Sequence, residues 1–153
     1  MDDEGEGRRC VATADELAAN GRYEDAIAWY QQAIARAPVA CAGYRFVVGE
    51  LLFELQRYDE AARTFEVVVG ALPDHPPAWE ALGRTLSMLG RAERAADALE
   101  RAIALDPSWG EPLYHAALAY TELGRRELAE DRLRRAMAID ERFGEAAKDD
   151  GLV

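Results

Sequence analysis

Lysine is nearly absent from this chain. Lys148 stands alone against seventeen arginines, a skew that a GC-rich genome produces and that points to a bacterial source. Cysteine and histidine are just as scarce, at two each. Cys10 and Cys41 supply no disulfide framework, and no pair of Cys or His residues has the short spacing of a structural zinc site, so no metal and no cofactor are expected. No apolar run approaches the roughly 18–20 residues that a membrane span needs. Met1 to Glu6 is acidic where a secretory signal would be basic and then apolar, so no such signal is expected and the protein is read as cytoplasmic. Basic excess is missing as well. The net charge is −11, and an acidic chain repels phosphate backbones and anionic lipid, which excludes nucleic acid and membrane surfaces as partners. Gly5 and Gly7 lie in the acidic start with no strand before them, so they form no phosphate loop. Sustained period-two alternation is absent, so no sheet is expected.

No catalytic constellation emerges either. His75 sits in the Asp74-His75-Pro76-Pro77 loop and His115 on a helix, each read as a solvent or packing residue. Cys10 reads as a small hydrophobe. Cys41 falls in an inter-unit loop and is expected to be exposed, with only Arg45 nearby to lower its pKa. Trp29, Trp79 and Trp109 are spread along the chain as core or interface residues. The many carboxylates read as solvated helix faces. The chain is therefore not expected to be an enzyme.

What is present is a repeat. Four turn segments recur: Asn20-Gly21-Arg22-Tyr23, Leu55-Gln56-Arg57-Tyr58, Leu89-Gly90-Arg91-Ala92 and Leu123-Gly124-Arg125-Arg126. Each precedes an alanine at a fixed offset: Ala26, Ala61, Ala95 and Ala129, spaced 35, 34 and 34 residues apart. A second small position follows at Ala33, Val68, Ala102 and Ala136. Between the two lies a large residue: Tyr30, Phe65, Leu99 or Leu133. Apolar residues recur at three and four, the helical period. Gly21, Gly90 and Gly124 suit a tight turn between two helices. Pro38, Pro73 and Pro107 stop the second helix of their units.

This pattern resembles the tetratricopeptide repeat, whose unit of about 34 residues is a helix–turn–helix. The third unit carries it best, through Trp79, Leu82, Gly83, Gly90, Ala95, Ala102 and Pro107. The first unit has Cys10 at the family's Trp position and the second has Arg45. The fourth closes on Glu141 instead of proline. The resemblance implies an all-α fold, a right-handed α-α superhelix (solenoid) of four helix-turn-helix units plus a short C-terminal capping helix. The units run 7–40, 42–75, 76–109 and 110–143 in a single domain, after an acidic disordered N-terminus at 1–6 and before a capping helix and tail at 144–153. A single unit cannot bury its own apolar face, so stacking must do so.

The resemblance also implies a function: a protein-interaction scaffold, holding a peptide or helix of a partner in a concave groove lined by the first helix of each unit. Carried onto this chain, the groove positions are Val11, Asp15 and Ala18; Phe46, Glu50 and Phe53; Glu80, Arg84 and Ser87; and Tyr114, Leu118 and Thr121, of which all but Ala18 and Ser87 are the candidate binding residues. Aromatic anchors beside carboxylates favour a protein or peptide with basic and apolar side chains. Phe46 and Phe53 could equally pack between hairpins, and Arg84 could pair with Glu80 four residues earlier. Family members that hold acidic chaperone tails use a cationic carboxylate clamp. Its positions here are Val11, Asp15, Val47, Glu80 and Arg84, of which only Arg84 fits, so no such clamp is expected. Two alternatives remain open: self-assembly as a homo-oligomer through the solenoid ends, and a regulatory or substrate-presenting module for a separate enzyme.

Overall fold

The computed structural model describes residues 3–152. These form nine α-helices and no strand: α1 (Asp3–Ala19), α2 (Tyr23–Arg36), α3 (Tyr44–Glu54), α4 (Tyr58–Ala71), α5 (Pro76–Met88), α6 (Ala92–Leu105), α7 (Gly110–Glu122), α8 (Arg126–Ile139) and α9 (Arg142–Asp149). The helices form four antiparallel hairpins followed by a short ninth helix. The chain falls into two compact units that divide between Val68 and Val69, within α4.

In the two middle hairpins the first and second helices approach closely because a small residue faces a large one. In the first compact unit Gly49 on α3 lies against Phe65 on α4: a Cβ added at Gly49 would stand 2.5 Å from the Phe65 ring. In the second unit Gly83 on α5 lies the same way against Leu99 on α6, also at 2.5 Å. The large partners are the cores of their hairpins, for Phe65 and Leu99 expose nothing to solvent. Ala26, Ala33, Ala95 and Ala102 are likewise fully buried. The repeated small positions are therefore contact points between backbones.

Each hairpin turn ends its first helix in one way. In the first, the amide of Arg22 donates to the Leu17 carbonyl at 2.9 Å while the amide of Gly21 donates to the Ala18 carbonyl at 3.0 Å. This Schellman arrangement satisfies the last carbonyls of a helix and needs a left-handed residue. Gly21, Gly90 and Gly124 supply it with φ of 73°, 68° and 69°. In the second hairpin the residue is Gln56, held at φ 58° despite its side chain. The arginine after each turn then works twice. Its carbonyl accepts the first bond of the next helix, as in Ala26 N–H to Arg22 O at 3.0 Å. Its side chain can also reach the preceding hairpin: Arg57 donates to Glu24 at 2.7 Å and Arg125 to Glu93 at 2.7 Å.

Two expectations need correction. The acidic start is helical from Asp3, not disordered; Met1 and Asp2 lie outside the described residues. Asp3, Glu4 and Glu6 sit in the first turn of α1, where carboxylates offset the positive end of the helix dipole. Glu6 also pairs with Arg36 on α2. Cys41, expected to be exposed, is only 2% accessible, because residues 38–43 coil back over the start of α1 and lay its sulfur toward Gly7. Cys10 is buried, as a small hydrophobe should be.

Two substitutions should move stability in opposite directions. Gly49→Ala forces a methyl into a ring that has no room to retreat, and overpacking of this kind costs about 1–3 kcal/mol, more than the gain in helix propensity returns. Gln56→Gly relieves a left-handed residue and should stabilise by about 1 kcal/mol. Urea unfolding midpoints check both: the first should fall and the second should rise.

Candidate functional site

The first helices of the hairpins carry the groove positions, and each compact unit has its own face. In the first unit, Val11 and Asp15 come together on α1 beside Tyr44 of α3. With Arg8, Ala12, Ala40 and Cys41 they line a shallow cleft of about 290 Å³. Val11 is buried at its floor and Asp15 is exposed at its edge. Asp15 is not wholly available, since its Oδ1 accepts a hydrogen bond from the Tyr30 hydroxyl at 2.5 Å. Tyr30 in turn stacks on Tyr44 with centroids 5.5 Å apart. Burial, and then the Asp15 carboxylate, push the Tyr30 phenol well above its ordinary pKa.

Phe46, Glu50 and Phe53 follow on α3 at helical spacing, and all three are half-buried. Phe46 lies 5.7 Å from the Phe65 ring and Phe53 meets Tyr58 edge-on at 5.2 Å. Each aromatic therefore packs against the second helix of its own hairpin and still shows part of its surface. One turn of helix carries both roles.

In the second unit the face is built by α5 and α7. Glu80 is buried, with 9% of its side chain accessible, and its Oε1 lies 2.8 Å from His115 Nδ1. It is thus engaged inside the protein and is not a free wall charge. Tyr114 is buried too. It stacks on Phe143 of α9 at 5.4 Å and donates its hydroxyl to Asp150. Burial first, and then Asp150, raise its pKa far above the ordinary tyrosine range. Arg84 and Leu118 are half-buried and Thr121 is exposed. Thr121 donates back to the Ala117 carbonyl at 2.9 Å and borders a cavity of about 540 Å³ lined also by Gly124, Ala129, Leu133 and Leu152.

The accessible candidates are therefore Asp15, Phe46, Glu50, Phe53, Arg84, Leu118 and Thr121. Val11, Glu80 and Tyr114 support the faces from beneath. Sequence reasoning missed His115 and Phe143 as partners of Glu80 and Tyr114. The signal for the first was the repeat itself: Glu80 and His115 are 35 residues apart, one repeat, which sets them on neighbouring first helices. Among the described residues no group of three or more His, Cys, Asp or Glu side chains could hold a metal ion. No helix of the described residues is long and apolar enough to cross a membrane.

Buried tyrosines give these faces a pH signature. Tyr30, Tyr114 and Tyr120 all have raised pKa values, each chiefly from burial and then from a carboxylate: Asp15, Asp150 and Glu100 respectively. A raised folded pKa means that stability is intact below the ordinary tyrosine pKa of about 10 and is lost as pH climbs above it. In an ultraviolet titration, tyrosinate from these residues should appear together with alkaline loss of helix by circular dichroism. Tyr30→Phe should remove one such residue and shift alkaline unfolding upward.

Comparison with known proteins places this architecture. Tetratricopeptide repeat models match residues 11–76, 52–119 and 110–143. The chain is 36% identical over 88 residues to the Hsp70-Hsp90 organizing protein of Triticum aestivum, covering 58% of this chain and 15% of that protein. It is 32% identical over 92 residues to protein O-mannosyl-transferase TMTC2 of Homo sapiens, covering 59% of this chain and 11% of that one. The chain thus matches only a small part of these curated relatives. Among solved structures, a crystal structure of MamA superposes with a TM-score of 0.85 over 95% of this chain and 83% of that one, at 22% identity. MamA of Desulfovibrio magneticus RS-1 gives 0.81 over 88% and 76%, at 20% identity. At these identities the likeness is one of fold, an all-α solenoid of helix hairpins. The chain belongs to the tetratricopeptide repeat family.

Proposed function

We propose that this tetratricopeptide-repeat chain is a cytoplasmic interaction scaffold that holds a peptide or helix of a partner protein on the first-helix faces of its hairpins. The observation that carries the reading is the Phe46-Glu50-Phe53 row on α3, where two half-buried aromatics flank a half-buried carboxylate. Such a row offers apolar area with little loss of side-chain freedom, because both rings are already held by Phe65 and Tyr58. The carboxylate sets the charge of the partner. With Asp15 exposed on α1, the first unit favours a segment with Lys or Arg beside apolar side chains. Two free, buried thiols fit a reducing compartment.

The likeness to an Hsp70-Hsp90 organizing protein does not carry a chaperone-tail clamp with it. At the five clamp positions only Arg84 is cationic, and Glu80 is taken up by His115. An acidic tail would meet Asp15 where it needs a positive charge. A second reading, self-association, is favoured by one observation: Leu128, Met137 and Ile139 on α8 are 39%, 43% and 44% exposed. It calls for a molar mass that grows with concentration in light scattering, and the scaffold reading calls for one that does not.

A display selection of short random peptides on the folded chain tests the scaffold reading. Winners are sorted by their dependence on Phe53→Ala, with melting curves to confirm folding. Those that depend on Phe53 should carry Lys or Arg next to Leu, Ile or Phe, and should lose about 30-fold in affinity, the loss typical of an aromatic hot spot. The reading fails if no selected peptide depends on Phe53, or if those that do are acidic.

A further inference from the structure

On the first unit, away from the cleft of Val11 and Asp15, α2, α3 and α4 enclose a second cleft of about 570 Å³. That volume lies within the range of about 300–1,000 Å³ usual for ligand pockets. Its walls are Ile34, Ala35, Pro38, Val48 and Val67, with Gln31 and Thr64 among them. Val67 leaves 54% of its surface exposed there. Two guanidiniums complete the lining, Arg45 of α3 and Arg63 of α4, and no carboxylate joins them.

The repeat explains why the cleft is open. Arg45 stands one repeat before Trp79, at the position where the family places tryptophan. In the third repeat the Trp79 indole stands at the corresponding position. Its Nε1 donates to the Pro73 carbonyl at 2.8 Å, and the Arg101 guanidinium lies over the ring at 5.6 Å. Pro38 is the counterpart of Pro73 and Val67 that of Arg101, and both line the empty cleft. The second repeat thus keeps the surroundings of an indole and lacks the indole.

Its charge is met by no carboxylate within the cleft itself. Neither Arg45 nor Arg63 has an ion-pair partner among the described residues. Glu60 lies one turn before Arg63 and is influenced by it, but its two oxygens are bound by Arg57 at 2.7 and 2.6 Å. Two arginines beside one apolar cleft repel each other, in a protein that is otherwise strongly acidic. A carboxylate relieves that repulsion and meets guanidinium in its favoured geometry.

We propose that this cleft is a second docking site, which takes a partner-protein segment bearing a tryptophan or phenylalanine next to an aspartate or glutamate. The ring fills the place that Trp79 fills in the third repeat, and the acid meets Arg45 and Arg63. Its chemistry is opposite to that of the first-helix faces, so one chain can hold two different segments.

The test uses the full chain and three capped hexapeptides: tryptophan between two glutamates, tryptophan between two lysines, and alanine between two glutamates. Binding is read from amide shifts of Ile34, Val48 and Val67 in nitrogen-15 correlation spectra. The glutamate–tryptophan peptide should bind at least tenfold more tightly than either of the others. Arg45→Trp plugs the cleft with the family residue, so it should keep the fold, raise the melting temperature and abolish that binding. Arg63→Glu, a change at an exposed position, should reverse the preference toward the lysine peptide. Phe53→Ala should leave this site unaffected, which separates it from the first-helix faces. Equal affinity for all three peptides, or unchanged binding by a folded Arg45→Trp variant, overturns the proposal.

Discussion

The close approach of two helix backbones within each hairpin is the constraint on which the rest of this structure depends. Gly49 against Phe65 and Gly83 against Leu99 leave no space for even one more methyl group. Ala14 and Ala117 hold the same repeat positions in the first and fourth hairpins, and both are essentially buried. Because Phe65 and Leu99 fill their hairpins completely, α3 and α5 are fixed in rotation about their own axes. That rotation decides which of their side chains meet solvent. The candidate faces are therefore a consequence of small-against-large packing rather than of any interaction within the faces themselves.

Most of the fold was legible in the sequence for the same reason. A pattern of small residue, large residue, small residue and turn, repeated at 34 residues, leaves few alternatives to stacked helix hairpins. What was not legible was fine depth. A groove position on a first helix lies within one turn of the core, and spacing alone does not say which side of that boundary a residue occupies. Val11 and Tyr114 fall on the buried side, Asp15 and Thr121 on the open side, and Phe46 and Phe53 straddle it. Glu80 escaped because its partner is not local. An acid four residues before an arginine suggests a pair along the helix, whereas the structure gives its carboxylate a histidine on the next first helix, 35 residues away. The helical start at Asp3 was hidden by composition, since four acids in six residues resemble a solvated tail until the dipole of α1 and the reach of Arg36 are considered.

Departures from the family pattern carry as much information as agreements. Gln56 replaces a glycine and leaves a strained turn. Arg45 replaces a tryptophan and leaves an open, positively charged cleft. Both lie in the second repeat, which also bears the Phe46-Glu50-Phe53 row. Local rules are broken there at both a turn and a packing position, which is the pattern expected of a segment under a constraint other than packing.

Hydrogen–deuterium exchange of the full chain, free and with a Phe53-dependent peptide bound, tests whether a partner segment lies on the first-helix faces. Exchange should slow over residues 44–54, on the first-helix side, with the second helices α6 and α8 unchanged. Protection confined to second helices, or none at all with the peptide saturating, would contradict that placement.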